Sequence, residues 1–303
     1  MHDLLIIGAG PAGLSASVYA SRYGIKNKVI GQIPGGLTTE THEIGNWLGD
    51  QAISGADFAS KAAEHVKSFG TEIDPSEVQE IKKEGDIFVI KTSAGEENAK
   101  TLVVATGTKH RHLGVPGEKE FLGRGVSFCA TCDGFFYRGK TVAVVGGNNS
   151  AAAAAVHLGN IAEKVYLIYR KENVRAEKYW LDAIEKNPKI EIINNTNVLE
   201  IKGELKLETL VFDNEHKGSK EFSVDGLFIE IGLDPNTKLV EDLGVELDER
   251  GYISIGTDGR TSLNGLWAAG DITNGSNGFA QIITAAAEGA IAAEDISAFL
   301  QKK

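Results

Sequence analysis

The chain is expected to be an α/β protein with two Rossmann-like dinucleotide-binding domains, the second inserted into the first. Three observations lead there. Residues 3–20, "DLLIIGAGPAGLSASVYA", pass from a β-rich apolar strand through a glycine turn into a helix of small residues. Residues 141–160, "TVAVVGGNNSAAAAAVHLGN", repeat that order. Each unit then offers a second short apolar run, "NKVIG" (27–31) and "KVYLIYR" (164–170), spaced as the second strand of a parallel βαβ crossover.

The remaining elements follow in order. "DIFVIKT" (86–92) and "KTLVVATG" (100–107) are strand-like runs separated by a polar turn, and "IEIINN", "ETLVFD" and "GLFIEIG" continue the second unit in the same way. The glycine- and proline-bearing stretch "HRHLGVPGE" (110–118) predicts one crossing between domains, and "IGLDPNT" (231–237) a second. "LWAAGD" (266–271) is a short strand ending in Gly-Asp, and the small and apolar residues after it recur at helical spacing, predicting one long closing helix. Residues 1–112 and 242–303 are thus expected to form one discontinuous domain, with 113–241 inserted as the other.

Composition narrows the function. A chain of 303 residues with 42% hydrophobic and 24% charged residues can bury a sizeable core. A formal charge of -11 argues against sequence-independent nucleic-acid binding, which needs clustered positive charge. The start "MHDLLIIGAG" has no secretory n-region, and no apolar run reaches the roughly 18 to 20 residues of a membrane span. A cytoplasmic protein without membrane or nucleic-acid partners is the expectation.

"GAGPAG" places Gly8, Gly10 and Gly13 in the G-x-G-x-x-G pattern. The first glycine permits the tight turn, the second lets backbone approach a pyrophosphate, and the third lets helix pack on strand. The acidic ribose ligand expected at the end of the second strand is absent, since Gly31 and Gln32 stand there. Gly270 and Asp271 would bring a second helix N-terminus, with Asp271 accepting from sugar hydroxyls or serving only as a cap. In the second fingerprint Gly146 and Gly147 are followed by Asn148, where a glycine is expected; asparagine tolerates a left-handed backbone better than most residues. Arg170, Lys171 and Arg175 lie where an NAD-selective site would carry a carboxylate, which suits the 2′-phosphate of NADPH, although a solvated basic face is the plainer alternative.

The only cysteines are Cys129 and Cys132, in "FCATCDGFF". Two are too few for a disulfide scaffold and point to redox catalysis or metal binding. A zinc knuckle needs two more ligands, and the histidines supply no partner half; His110 and His112 are the one close pair, so no metal is expected. A C-x-x-C pair can close a disulfide across a turn, and a helix beginning there would lower a thiol pKa. Asp133 could hand a proton to a leaving thiolate or simply form the turn. Two dinucleotide folds would supply nicotinamide and flavin in series as the electron source.

"GAGPAG", "GGLTTETHEIGNWLG", "VVATGTKHRHLGVPGE", "CATCDGFFYRGK", "VAVVGG" and "LWAAGD" together resemble the low-molecular-weight thioredoxin reductases in order and approximate spacing over essentially the whole chain. The resemblance implies FAD held by Gly8, Gly10, Pro11, Ala12, Gly13, Gly35, Gly36, Leu37, Asn46, Thr106, Gly107, Gly270, Asp271 and Gln281. It implies NADPH on Gly146, Gly147, Ser150, Arg170, Lys171 and Arg175, in the inserted domain that carries redox-active Cys129 and Cys132 with Asp133 as acid. It further implies a homodimer that reduces a thioredoxin-like protein, with hinges near 113 and 236. Departures from the family pattern are Asn148, Ala153 and Ala154 in the second fingerprint, Tyr169 in place of histidine, and Ala280 in place of arginine. Some relatives with eroded nucleotide motifs draw electrons from ferredoxin or a deazaflavin, which is the alternative for this chain, and a non-catalytic flavin and dithiol redox sensor is another.

Overall fold

The computed structural model describes residues 1–41 and 44–302, with Cys132 described through its backbone only. The chain opens with β1 (His2–Ile7), α1 (Pro11–Arg22), β2 (Asn27–Ile30), α2 (Gly55–Ser68), β3 (Ile73–Asp74), β4 (Val78–Glu84), β5 (Ile87–Thr92), β6 (Gly95–Val104) and β7 (Thr108–His110). Next come β8 (Val126–Ser127), α3 (Ala130–Asp133), β9 (Thr141–Val145), α4 (Asn149–Gly159), β10 (Lys164–Ile168), α5 (Lys178–Lys186) and β11 (Ile190–Ile193). The strands β12 (Val198–Lys202), β13 (Thr209–His216), β14 (Ser219–Ser223) and β15 (Gly226–Ile229) complete that stretch. β16 (Leu233–Pro235), α6 (Lys238–Glu241), β17 (Leu266–Ala268) and α7 (Ile282–Gln301) close the chain.

Two compact units result, one made of Met1–Lys109 with Asp234–Lys303, the other of His110–Leu233. The sequence places the divisions three and eight residues later, after 112 and 241. The second difference has a physical reason: Val240 of α6 is fully buried in the cluster that contains Leu5, Phe88 and Ile253 of the first unit.

In the first unit, β3-β2-β1-β6-β5-β4 form a sheet to which β17 adds beside β6. β1 pairs parallel with β2 and β6, β17 runs parallel to β6, and β4 and β5 extend the sheet antiparallel. β1 is buried on both faces, so its apolar run is continuous. Leu4 and Ile6 face the cluster shared with α1 and α7, and Leu5 and Ile7 face the opposite cluster with Phe88 and Leu266. Small residues let α1 and α7 approach closely: a Cβ on Gly289 would collide with the Ala12 carbonyl oxygen, and Ser15 Oγ donates to the Ala286 carbonyl at 2.7 Å. Lys28 on β2 is buried and pairs with Glu97 at 2.8 Å, Asp74 at 2.9 Å and Glu72 at 3.2 Å, tying β2 to β3 beside it and, across β1, to β6. Helix α2 is capped by Ser54, whose Oγ accepts from the Asp57 amide at 3.0 Å, and buries Phe58, Ala59, Ala63 and Val66.

In the second unit, β11-β10-β9-β15-β8 form a wholly parallel sheet. β9 divides its residues between the two faces. Val142 and Val144 pack with α4 and α5, whereas Ala143 and Val145 pack against the antiparallel sheet β12-β13-β14 through Leu210 and Phe212. Among the described residues no helix is long and apolar enough to cross a membrane.

The close contact of α1 and α7 gives a first prediction. Gly289→Val should wedge the helices apart and cost about 1–3 kcal/mol, read as a lower urea midpoint.

Candidate functional site

The first glycine turn follows β1, at the point where the chain leaves by α1 for β2 on one side of β1 while β6 pairs on the other. Such a switch point opens a crevice at the carboxyl ends of the strands. Gly8 has φ 113°, a left-handed conformation, and a Cβ there would collide with the Ala105 carbonyl at the end of β6. A Cβ on Gly13 would collide with the Gly8 carbonyl, so only glycine lets α1 lie this close to the turn. Gly10 differs from both, because nothing lies within 4 Å of the position its Cβ would take. No side chain caps α1 and Pro11 fills its first turn, so the helix end keeps its amides for a ligand.

Several elements converge on this turn. The Gly35 amide donates to the Ala9 carbonyl at 2.7 Å, and a Cβ on Gly36 would sit 3.4 Å from Gly10 Cα, bringing the segment of Gly35, Gly36 and Leu37 onto the fingerprint. A Cβ on Gly31 would lie 2.6 Å from the Ala9 amide nitrogen, so the position where an acidic ribose ligand is usual has no room for a side chain. Thr106 and Gly107 follow β6, where Thr106 Oγ1 donates to the Asn236 carbonyl at 3.0 Å and the Asn236 amide donates to the Gly107 carbonyl at 3.0 Å. Asn46 Nδ2 donates to Gln281 Oε1 at 2.8 Å, uniting two expected cofactor residues from distant parts of the chain. Gln281 is also the N-cap of α7, in a reciprocal capping box with Thr284.

Gly270 and Asp271 follow β17 but, against expectation, open no helix, because α7 begins only at Ile282 with Gln281 as its cap; a Cβ on Gly270 would lie 2.8 Å from the Ala12 side chain. The loop is held by Glu288, which sequence reasoning missed. This carboxylate, buried on α7, accepts from the Gly270 amide at 2.8 Å, Thr273 Oγ1 at 2.9 Å and Ser276 Oγ at 2.6 Å. Asp271 takes no hydrogen bond at its carboxyl from the described residues. Burial, and then the charge of Glu288, push its pKa up to about 6. An unpartnered, desolvated carboxyl beside an open glycine turn fits a ligand that brings hydroxyl donors.

The second glycine turn, after β9, is more self-contained. Cβ atoms on Gly146 and Gly147 would collide with the Glu230 carbonyl and the Tyr169 ring. Asn148 is extended rather than left-handed, with φ -107°, because it acts as the N-cap of α4: its Oδ1 accepts from the Ala151 amide at 3.1 Å. Asn149 is held by Glu177, whose amide donates to Asn149 Oδ1 at 2.8 Å. Ser150 is exposed, as are Arg170, Lys171 and Arg175. Neither Arg170 nor Lys171 makes a side-chain hydrogen bond or ion pair among the described residues. Arg175 instead donates from Nε to the Tyr169 hydroxyl at 3.0 Å.

Cys129 is half-buried and disulfide-bonded, two residues beyond β8. The Cys129 amide donates to Ser127 Oγ at 3.0 Å, and the Asp133 amide donates to the Cys129 carbonyl at 3.1 Å, closing the single helical turn α3. Cys132 lies within α3; its side chain is outside the described residues. Tyr137, a second residue that sequence reasoning missed, lies against Phe228 with ring centroids 5.3 Å apart. Burial, and then the charges of Asp133 and Asp225, push its phenol above the ordinary range. Because the sheet is wholly parallel, Cys129 after β8 and Gly146 after β9 share its carboxyl edge, with β15 between.

Two α/β units, one with an open glycine turn and one with a disulfide at its sheet edge, define a disulfide oxidoreductase. The family model for "Pyridine nucleotide-disulphide oxidoreductase" matches residues 2–289. The thioredoxin reductase of Bacillus subtilis is 38% identical over 100% of this chain and 96% of its own length, and that of Helicobacter pylori is 41% identical over 99% of each. Among solved structures, Lactococcus lactis thioredoxin reductase in its FR conformation superposes with a TM-score of 0.94 at 36% identity, covering 100% of both chains. A ferredoxin-flavin thioredoxin reductase from Clostridium acetobutylicum gives a TM-score of 0.55 at 32% identity, over 100% of this chain and 99% of that one. The chain belongs to the pyridine nucleotide-disulphide oxidoreductases, and within them to the thioredoxin reductases, which are FAD-dependent enzymes.

The environment of Asp271 gives a second prediction. In flavin-stripped protein its carboxyl holds a proton up to about pH 6 when folded and up to 3.8 ordinarily. Its contribution to stability is therefore best below about pH 4, falls as pH rises from about 4 to about 6, and is flat above that, a loss on the order of 2–3 kcal/mol. Asp271→Asn should remove this slope in urea unfolding of the stripped protein and, in titrations with FAD, weaken binding by about tenfold.

Proposed function

We propose that the protein reduces the disulfide of a thioredoxin-like protein with electrons from NADPH. In this reading the discontinuous unit holds FAD, and the unit of His110–Leu233 holds the nucleotide and the redox pair Cys129 and Cys132. The observation that carries the reading is the disulfide-bonded Cys129 on the same sheet edge as the second glycine turn, in a chain with only two cysteines. With β15 between them, β8 and β9 are two strand spacings apart, about 10 Å.

When bound, FAD supplies the two-electron chemistry that links a hydride donor to a disulfide. Gly8, Gly10 and Gly13 would hold its pyrophosphate at the start of α1, and Asp271 would accept from its hydroxyls, with Gly35 to Leu37, Asn46, Thr106, Gly107 and Gln281 completing the pocket. Reduction of the disulfide breaks the S–S bond and takes up two electrons and two protons. Asp133 supplies a proton to a leaving thiolate. A thiolate of the reduced pair then attacks the partner's disulfide to form a mixed disulfide. The second thiolate resolves it, which restores the intramolecular disulfide and releases the partner as a dithiol. The free, exposed cations of Arg170 and Lys171 suit a nucleotide phosphate. A cytoplasmic homodimer completes the reading, supported by the reducing setting that two lone cysteines fit and by the family resemblance.

A second reading differs only in the donor. Asn148 takes up an amide of the α4 turn, and the ring of Tyr169 lies against Gly147, so this turn offers a nucleotide less than the first turn does. A ferredoxin-type donor, named in the similar Clostridium acetobutylicum structure, would not need that turn.

Anaerobic addition of NADPH should bleach the flavin promptly and NADH should do so more slowly; bleaching by dithionite alone would favour the second reading. Cys129→Ser and Cys132→Ser should each lower thioredoxin turnover by about three orders of magnitude while the flavin still bleaches.

A further inference from the structure

Tyr169 stands just past β10, in the position the family pattern gives to histidine, and it is 6% exposed. Its ring occupies the space that a Cβ on Gly147 would need, and its hydroxyl accepts from Arg175 Nε at 3.0 Å. The Arg175 amide in turn donates to the Gly147 carbonyl at 2.7 Å. Arg175 is thus tied to the glycine turn twice, once through its backbone and once through the phenol. With Nε engaged, the terminal nitrogens are the donors its exposed guanidinium presents, in the fork that suits a phosphate. A guanidinium already held in place loses less rotamer freedom when an anion binds, which is where preorganisation improves affinity.

We propose that Tyr169 is a positioning residue that fixes Arg175 to recognise the 2′-phosphate of the adenosine ribose. This inference rests on the NADPH reading and deepens it: discrimination between NADPH and NADH would depend on a phenol that never touches the phosphate. A purely structural role for the ring predicts otherwise. Tyr169→Phe separates the two, since it keeps the packing against Gly147 and removes only the hydroxyl.

The test is calorimetric titration of the FAD-loaded enzyme, wild type and Tyr169→Phe, with adenosine 2′,5′-bisphosphate and with 5′-AMP, alongside anaerobic bleaching by NADPH. Loss of one hydrogen bond to a charged group should weaken bisphosphate binding about fivefold, with 5′-AMP binding and Tm unchanged. The NADPH concentration for half-maximal bleaching should rise by the same factor, at an unchanged limiting rate. Equal weakening of both ligands, or none, overturns the positioning role; if NADPH still bleaches the wild type, the donor reading stands. A wild type that shows no preference for the bisphosphate and is bleached by dithionite but by neither nucleotide overturns both.

Discussion

The carboxylate of Glu288 is the contact on which the discontinuous unit depends. An unpaired carboxylate placed this deep would cost several kcal/mol, and three donors from one loop, Gly270, Thr273 and Ser276, offset that cost together. Removing any one of them would leave the charge under-satisfied, so helix and loop are ordered as one piece. The residue after Glu288 is Gly289, where α7 lies on the Ala12 carbonyl of α1. One helix therefore fixes the Gly-Asp loop and presses it against the amino-terminal fingerprint. This explains how a site can be assembled from residues 1–37 and 266–281 with a whole unit inserted between them.

The two glycine turns show how one topology can serve binding to different degrees. Both follow a central parallel strand and both exclude side chains at two positions. At the first, the helix end is left uncapped, so a contribution of about 1 kcal/mol is missing and the first amides have no side-chain partner. At the second, Asn148 takes the cap and Tyr169 closes the space over Gly147. Whatever a nucleotide gains there must come in larger part from the cations beyond β10.

How much of this was legible in the sequence follows from the range of the interactions. β1, α1, β9, α4 and α7 are set by periodicity and glycine spacing within some twenty residues, and those elements can be read directly. The fingerprint was legible for the same reason, since its glycines stand at a fixed short spacing between strand and helix, and Gly8 and Gly13 are demanded by the turn itself. Glu288 was not, because a glutamate within an alanine-rich helix carries no local mark of the loop it binds. Lys28 and its three carboxylates, the 235-residue link from Asn46 to Gln281, and Tyr137 beside Asp133 are likewise products of tertiary packing. Asn148 was misjudged locally: its side chain offered both a tolerance of left-handed backbone and a cap, and the helix that followed took the cap.

The placing of the cysteines follows from the parallel sheet. β8 and β9 both run parallel to β15 between them, and this common direction brings Cys129 and the glycine turn to one edge of the sheet. The edge is also where β8 ends after two residues and the chain turns at once into the single turn α3, held by Ser127 and by the Asp133 amide. Both residues of that strand are buried, Val126 in the core of the unit, so the chain is anchored immediately before it leaves for the disulfide. The chain's two cysteines stand three positions apart, and no other cysteine exists to exchange with them.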